Sequence, residues 1–198
     1  TIHEQKILEK NLDEMNKKDI AILLSLYSGI RVGECCALKW EDFSQMEKGI
    51  QISHTVQRIH NYRNNLHKTT LLYSEPKTQF SVRFIPLPDF MIHLLSKLKK
   101  NTDDNDDSFI FGAKEKPLDP RVLQYHIDKK TKSLHIKGVH FHTLRHTFAT
   151  RFMEKGGDIF ALKELLGHSS AKLTMDWYGH STTDHVQKSM KRMKKLIA

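Results

Sequence analysis

Five polar motifs stand in otherwise apolar stretches of this chain: Ser28-Gly29-Ile30-Arg31-Val32-Gly33-Glu34, Pro76-Lys77-Thr78, His142-Thr143-Leu144-Arg145-His146, Leu165-Leu166-Gly167-His168-Ser169 and Tyr178-Gly179-His180. A charged group in such a frame needs a partner or a substrate, because burying it unpaired is costly. His142 and Arg145 are three residues apart and share a face if a helix begins there, with Leu144 and Phe148 turned toward the core. Two donors so placed can hold one phosphate. His142 and His146 are four apart, a metal-ligand spacing, and His140 adds a third imidazole. No glutamate stands between them as in a zinc hydrolase helix, and no cysteine or carboxylate cluster completes a shell, so neither a metal nor another cofactor is expected. Taken singly the motifs are ambiguous. Arg31 could simply pair with Glu34 or cap carbonyls, and Lys77, in a polar turn between strand candidates, could be a solvated surface charge.

The elements that must position these residues are mostly helical. Thr1 with Glu4 has the form of a capping box, and Ile7, Leu8 and Leu12 extend a helical pattern to about Met15. The run Ile20 to Tyr27 is apolar enough for a buried helix that stops at Ser28-Gly29, and a short turn follows from Val32 to Leu38. Ile50, Ile52, His54, Val56 and Arg58 alternate with Ser53, Thr55 and Gln57, and Val82 and Phe84 alternate after a polar stretch ending at Gln79. Together they predict a small antiparallel sheet. Asp89 is placed to cap a helix carrying Met91, Leu94, Leu95 and Leu98, and the acidic run Asp103 to Asp107 reads as a solvated loop. Helices are then expected after Asp119-Pro120, through Leu144 to Met153, from Asp158 to Leu166 with Gly167 as its stop, and from Ser170 past Tyr178. The fold class is therefore mainly α with a small antiparallel β-sheet.

The 198 residues allow one large core. With 32 Lys and Arg against 23 Asp and Glu, the formal charge of +9 favours a polyanionic partner. Cys35 and Cys36, adjacent on a helical pattern, read as reduced core residues. No uninterrupted apolar run is long enough to cross a bilayer and Thr1-Ile2-His3-Glu4 is unlike a signal peptide, so a soluble cytoplasmic protein with no membrane association is expected. With Thr1 in place of an initiator Met, the chain is expected to be a piece of a longer one.

Taken in order, the five motifs resemble the tyrosine recombinase, or phage integrase, family from Thr1 to about Ser181. The flanking text carries the resemblance as much as the polar residues do: Gly33-Glu34 with Leu38 and Trp40, Arg83 with Ile85-Pro86-Leu87, Thr147-Phe148-Ala149-Thr150, and Leu166-Gly167-His168-Ser169-Ser170. The spacing of His168 and Tyr178 looks like that of integrases from conjugative transposons and temperate phages. Ala171-Lys172-Leu173 departs from the more regular Ser/Thr pattern before Thr174. The resemblance implies the recombinase catalytic-domain fold and an active-site set of Arg31, Lys77, His142, Arg145, His168 and Tyr178. It also implies site-specific recombination of double-stranded DNA through a 3′-phosphotyrosyl link, and a homo-oligomer, a tetramer in the recombining complex. Residues 1–182 would form the catalytic domain, and an N-terminal core-binding domain would lie outside this chain.

The chemistry of the side chains agrees with those roles. A phenol with a pKa of about 10 is a poor nucleophile at neutral pH, so Tyr178 needs a base or cationic surroundings. Two guanidiniums can bind the non-bridging oxygens and stabilise charge on a five-coordinate phosphorus without a metal. Transesterification conserves the phosphodiester energy, so no ATP is needed, and the chain has no Gly-rich phosphate loop. Two other readings share part of these features: a type IB topoisomerase, which would only religate, and a catalytically silent DNA-binding module. Residues 183–198 carry Val186, Met190, Met193 and Ile197 on one stripe and read as an amphipathic tail helix, docking either on its own core or, as the resemblance implies, on a neighbouring protomer.

Overall fold

The computed structural model describes residues 1–61, 69–76, 78 and 81–170. Lys77, Tyr178, the helix expected from Ser170 and the tail 183–198 lie outside those residues.

Helix α1 (Ile2–Lys10) opens with the expected box, the Glu4 amide donating to Thr1 Oγ1 at 3.2 Å while the Thr1 hydroxyl donates to the Glu4 carboxylate at 2.7 Å. It ends at Lys10, short of Met15, because Asn11 turns its side-chain amide back to the Ile7 carbonyl and the Asp13 amide is taken by Asp19. Helix α2 (Lys17–Ser28) is buried on nearly every face and closes on Gly29 at φ 66°, a left-handed position where a side chain would be strained. Helix α3 (Val32–Ala37) follows, with both cysteines buried and free. A 3-10 turn, Trp40–Asp42, leads into the strands.

Among the described residues five short strands form two sheets, not one. Strands β1 (Phe43–Ser44), β2 (Gly49–Ile52) and β5 (Arg83–Pro86) make an antiparallel sheet in the order β1-β2-β5, with Ile50 opposite Phe43 and Ile85. Strands β3 (Thr55–His60) and β4 (Thr69–Ser74) pair separately, with Val56 opposite Tyr73. The alternation from Ile50 to Arg58 thus spans a change of partner at Ser53-His54, where Ser53 Oγ bonds to Asp42 and to His54 Nδ1. Strand β4 lies inside the stretch read as polar. Leu71 and Leu72 put apolar side chains on both of its faces, which hides the period-two signal. On β5 the phase is inverted from the simple expectation: Val82 and Phe84 are exposed, whereas Ile85 and the Arg83 side chain point inward.

Helix α4 (Asp89–Lys100) buries Met91, Leu94, Leu95 and Leu98 as expected, but Pro88 holds the N-cap position and Asp89 is the first helical residue, paired with Lys48. The acidic run after it is only partly a solvated loop. Asp104 accepts from Lys17 Nζ at 3.2 Å and from the Trp40 indole at 3.4 Å, tying the loop over a buried ring. Helix α5 (Pro120–Ser133) starts as the sequence indicates, with Asp119 as N-cap and Pro120 in the first turn. Helix α6 (Phe141–Glu154) packs against α2, and α7 (Ile159–Leu166) packs against α6 and β5. The main core gathers α2, α3, α4, α5 and the sheet around Trp40, Ile22, Ile50 and Leu95. A second cluster joins Ala149 of α6 to Leu162 and Leu166 of α7, with Phe148 and Phe152 packed on it. That second cluster sets where the end of α7 meets the start of α6. Among the described residues no helix is long and apolar enough to cross a membrane.

Candidate active site

The last turn of α7 is the structural centre of the motifs. Asp158 caps the helix through the Phe160 and Ala161 amides, and Gly167 ends it at φ 62°. The Gly167 amide returns to the Glu164 carbonyl and the His168 amide to the Lys163 carbonyl, the paired bonds of a Schellman motif. The final carbonyls of a helix have no partner within it and carry its negative end, so they attract cations. Here three successive carbonyls are each met by a different arginine. Arg83 Nε donates to Leu165 at 2.7 Å, Arg145 Nη2 to Leu166 at 2.7 Å and Arg31 Nη2 to Gly167 at 3.3 Å.

Arg145, on the second turn of α6, is 4% exposed. Its other terminal nitrogen donates to the Gly29 carbonyl at 2.8 Å, so the left-handed glycine that ends α2 also presents an acceptor to this guanidinium. Arg145 Nη2 also lies 2.9 Å from His168 Nε2. Arg31 stands at the N-cap of α3, its Nη1 2.7 Å from Glu34 Oε1, and keeps 38% of its side chain open to solvent. Both plain alternatives for Arg31, pairing with Glu34 and capping a carbonyl, are therefore realised in the geometry, and the residue still faces outward.

Glu34, expected only as a pair partner for Arg31, and Arg83, expected only as flanking text, are residues outside the expected active-site set that the fold brings into it. Glu34 is 3% exposed and Arg83 7%. Arg83 Nη2 and Nη1 lie 2.9 and 3.2 Å from the two Glu34 oxygens. Burial alone would push the Glu34 carboxyl upward, but Arg83, and after it Arg31, more than offset this and hold it below the ordinary carboxylate value. The available signal was a glutamate inside the apolar run Val32 to Ala37 and an arginine between Val82 and Phe84.

His142 lies in the first turn of α6, on the exposed side, and its ring meets that of His146 edge-on with centroids 4.6 Å apart. Burial, then His146, Arg145 and Arg31, lower its basicity. His168 is lowered further, to about 4, first by burial and then by Arg145 and Arg31. Both imidazoles are thus neutral at neutral pH and sit in a cationic field. The structure brings Arg31, Arg145 and His168 together directly and places His142 within their electrostatic reach. Among the described residues no group of three or more His, Cys, Asp or Glu side chains is placed to hold a metal ion. Such a cluster of guanidiniums and neutral imidazoles can bind a phosphate and move a proton beside it.

A model of the phage integrase family matches residues 4–185. A XerC-like tyrosine recombinase of Caldanaerobacter subterraneus is 29% identical over 174 residues, covering 80% of this chain and 44% of that protein. The ICEBs1 integrase of Bacillus subtilis is 25% identical over 166 residues, covering 79% of this chain and 43% of its own. The chain thus spans about half the length of the curated relatives it matches. In fold it is similar to the Tn1549 transposon integrase solved with circular intermediate DNA, with a TM-score of 0.77 at 24% identity over 98% of this chain and 66% of that one. It is also similar to the XerA recombinase, with a TM-score of 0.68 at 24% identity over 98% of this chain and 65% of the other.

Proposed function

This chain belongs to the phage integrase family, and from that premise we propose that it is the strand-cleaving and rejoining part of a site-specific recombinase acting on double-stranded DNA. The observation that carries the reading is the convergence of Arg31, Arg145 and His168 on successive groups at the end of α7. Arg31 and Arg145 bind the non-bridging oxygens of one phosphodiester and stabilise the charge that grows there. Because Arg145 can only donate, His168 Nε2 accepts, which leaves its proton on Nδ1 as a further donor. His142, neutral and open to solvent, is competent to take the phenol proton.

In the proposed step Tyr178 Oη attacks phosphorus and the bond to the 5′ oxygen breaks. Lys77 supplies the proton that the departing 5′ oxygen takes up. The products are a 3′-phosphotyrosyl link and a free 5′ hydroxyl. A 5′ hydroxyl from a partner strand then attacks the same phosphorus and releases Tyr178. One phosphodiester is exchanged for another at each stage, so the cycle needs no ATP, and the guanidiniums supply the charge for which other enzymes use a metal. Exchange between two DNA sites calls for several protomers, which supports a homo-oligomer on DNA, a tetramer in the recombining complex, and a cytoplasmic, DNA-associated protein. Religation alone, as in a type IB topoisomerase, and a silent DNA-binding module find less support, since the relatives are named recombinases and integrases.

The test is covalent trapping. Nicked suicide duplexes enriched from a randomised pool by the full-length protein should give a protein-linked DNA band, and Tyr178→Phe should abolish it while leaving binding intact. A band that persists in Tyr178→Phe would falsify the assignment and move attention to Tyr125, which stands exposed on α5.

A further inference from the structure

Glu34 is a carboxylate held inside the protein between two arginines of very different exposure. Arg31 reaches it from the solvent side, and Arg83 reaches it from within. Arg83 is also bonded through Nε to the Leu165 carbonyl at 2.7 Å and through Nη1 to the Ser81 carbonyl at 2.9 Å. One guanidinium therefore joins β5, the start of α3 and the last turn of α7.

We infer that Arg83 is a positioning residue: by satisfying Glu34 from the inside it keeps Arg31 shared between Glu34 and the outer face, and by holding the Leu165 carbonyl it fixes the helix end that carries His168. The inference rests on the reading of Arg31, Arg145 and His168 as phosphate ligands.

The physical reason is that a buried carboxylate does not remain unpaired. With Arg83 on both of its oxygens and the Arg31 backbone amide donating to Oε2 at 3.0 Å, Glu34 takes only Nη1 from the Arg31 guanidinium, whose Nη2 reaches the Gly167 carbonyl instead. Without Arg83 the whole charge of Glu34 falls to Arg31. The forked geometry of a guanidinium on a carboxylate would then draw Arg31 inward and away from a phosphate. A lysine at position 83 is no substitute. It is a point charge that cannot serve two carboxylate oxygens and the Leu165 carbonyl together. The inward phase of Arg83 on β5, with Val82 and Phe84 exposed on either side, fits a residue placed for an internal partner.

Inorganic phosphate titrated into the 15N-labelled 198-residue chain, followed at the guanidinium signals of Arg31 and Arg145, tests this directly. In the unsubstituted chain both signals are expected to shift. If neither does, the phosphate-site reading fails and the inference falls with it. If they do, Arg83→Met is expected to bind phosphate about tenfold more weakly, the scale of one lost charge-assisted hydrogen bond, with the Arg31 response lost and that of Arg145 retained. Adding Glu34→Gln to Arg83→Met should restore affinity to within about threefold, because the carboxylate that captures Arg31 is gone. A purely structural role for Arg83 would show no such rescue. Arg83→Lys keeps the buried charge balanced and so guards against a folding failure of Arg83→Met; it too should bind several-fold more weakly. Unchanged affinity in Arg83→Lys, or a double variant no better than Arg83→Met, would overturn the inference while leaving the phosphate site standing.

Discussion

Arg145 and His168 face each other across 2.9 Å, guanidinium Nη2 to imidazole Nε2. The contact fixes the tautomer of the imidazole, since only its unprotonated nitrogen can accept from an arginine. It also couples two segments that the chain keeps far apart. Arg145 is anchored by the ends of α2 and α7, and His168 by its own amide in the turn that closes α7. A shift of α7 would therefore move the imidazole and one of the bonds that orient the guanidinium at once.

Acid should weaken this arrangement. His168 has its folded value lowered from 6.5 to about 4, so between those limits the unfolded chain binds the proton and the folded chain does not. The stability that this histidine contributes is complete above 6.5 and is lost as the pH falls toward about 4. His142 and His146 are shifted in the same direction and add to the slope. Thermal unfolding followed between about pH 7.5 and about pH 5 should show a smaller loss of Tm in His168→Gln than in the unsubstituted chain. Parallel slopes would mean that the histidine is not held neutral by its surroundings.

Gly29→Ala should damage both the fold and the site. At φ 66° a side chain is strained, and an added Cβ would lie 2.5 Å from Phe148 Cδ1 and 2.8 Å from Leu166 Cδ2. Left-handed strain and local overpacking together are expected to cost roughly 2–4 kcal/mol. Urea unfolding measures the loss, and phosphate affinity should fall with it because the Gly29 carbonyl orients Arg145. A cost below about 1 kcal/mol would show that Phe148 and Leu166 give way easily.

What the sequence reveals here is what is settled locally. Asn16, Asp119 and Asp158 mark the starts of α2, α5 and α7, and Gly29 and Gly167 mark the ends of α2 and α7, because caps and left-handed stops depend on a few adjacent residues. Strand partners are a non-local choice. The alternation through Ile50 to Arg58 is visible, yet nothing in it says that β2 joins β5 while β3 joins β4. The site divides the same way. The order of motifs points to Arg31, Arg145 and His168, which the fold brings together. Glu34 looks like the partner in an ordinary surface pair three residues from Arg31, and only the packing of β5 and α7 around it reveals a buried charge with a second arginine.

Lys77 is proposed to act as the general acid, and leaving-group chemistry separates that role from phosphate binding. Replacing the bridging 5′ oxygen by sulfur gives a leaving group that scarcely needs a proton. Lys77→Ala should be impaired by roughly two orders of magnitude or more on ordinary DNA and largely recovered on the thio substrate. Arg145→Met, which removes a proposed phosphate ligand, should be impaired on both. Equal impairment of Lys77→Ala on the two substrates would assign Lys77 to positioning.

Residues 183–198 are proposed to act between protomers. The apolar stripe Val186, Met190, Met193 and Ile197 is narrow, and methionine suits a surface that must adapt to a partner. Lys188, Lys191, Arg192, Lys194 and Lys195 stand among the positions off the stripe, so a helix formed here would bury little area against its own core. The segment begins five residues after Tyr178, close enough for its docking to govern whether the nucleophile is in place. Deleting 183–198 should leave a folded monomer whose Tm changes by less than about 3 °C, which for this size corresponds to roughly 1 kcal/mol. Cleavage should be altered, and assembly on two DNA sites, read by gel shift or light scattering, should be impaired. A fall in monomer Tm of about 10 °C would place the stripe in its own core, and the same defect in assembly would then follow from misfolding and not from a lost contact between protomers.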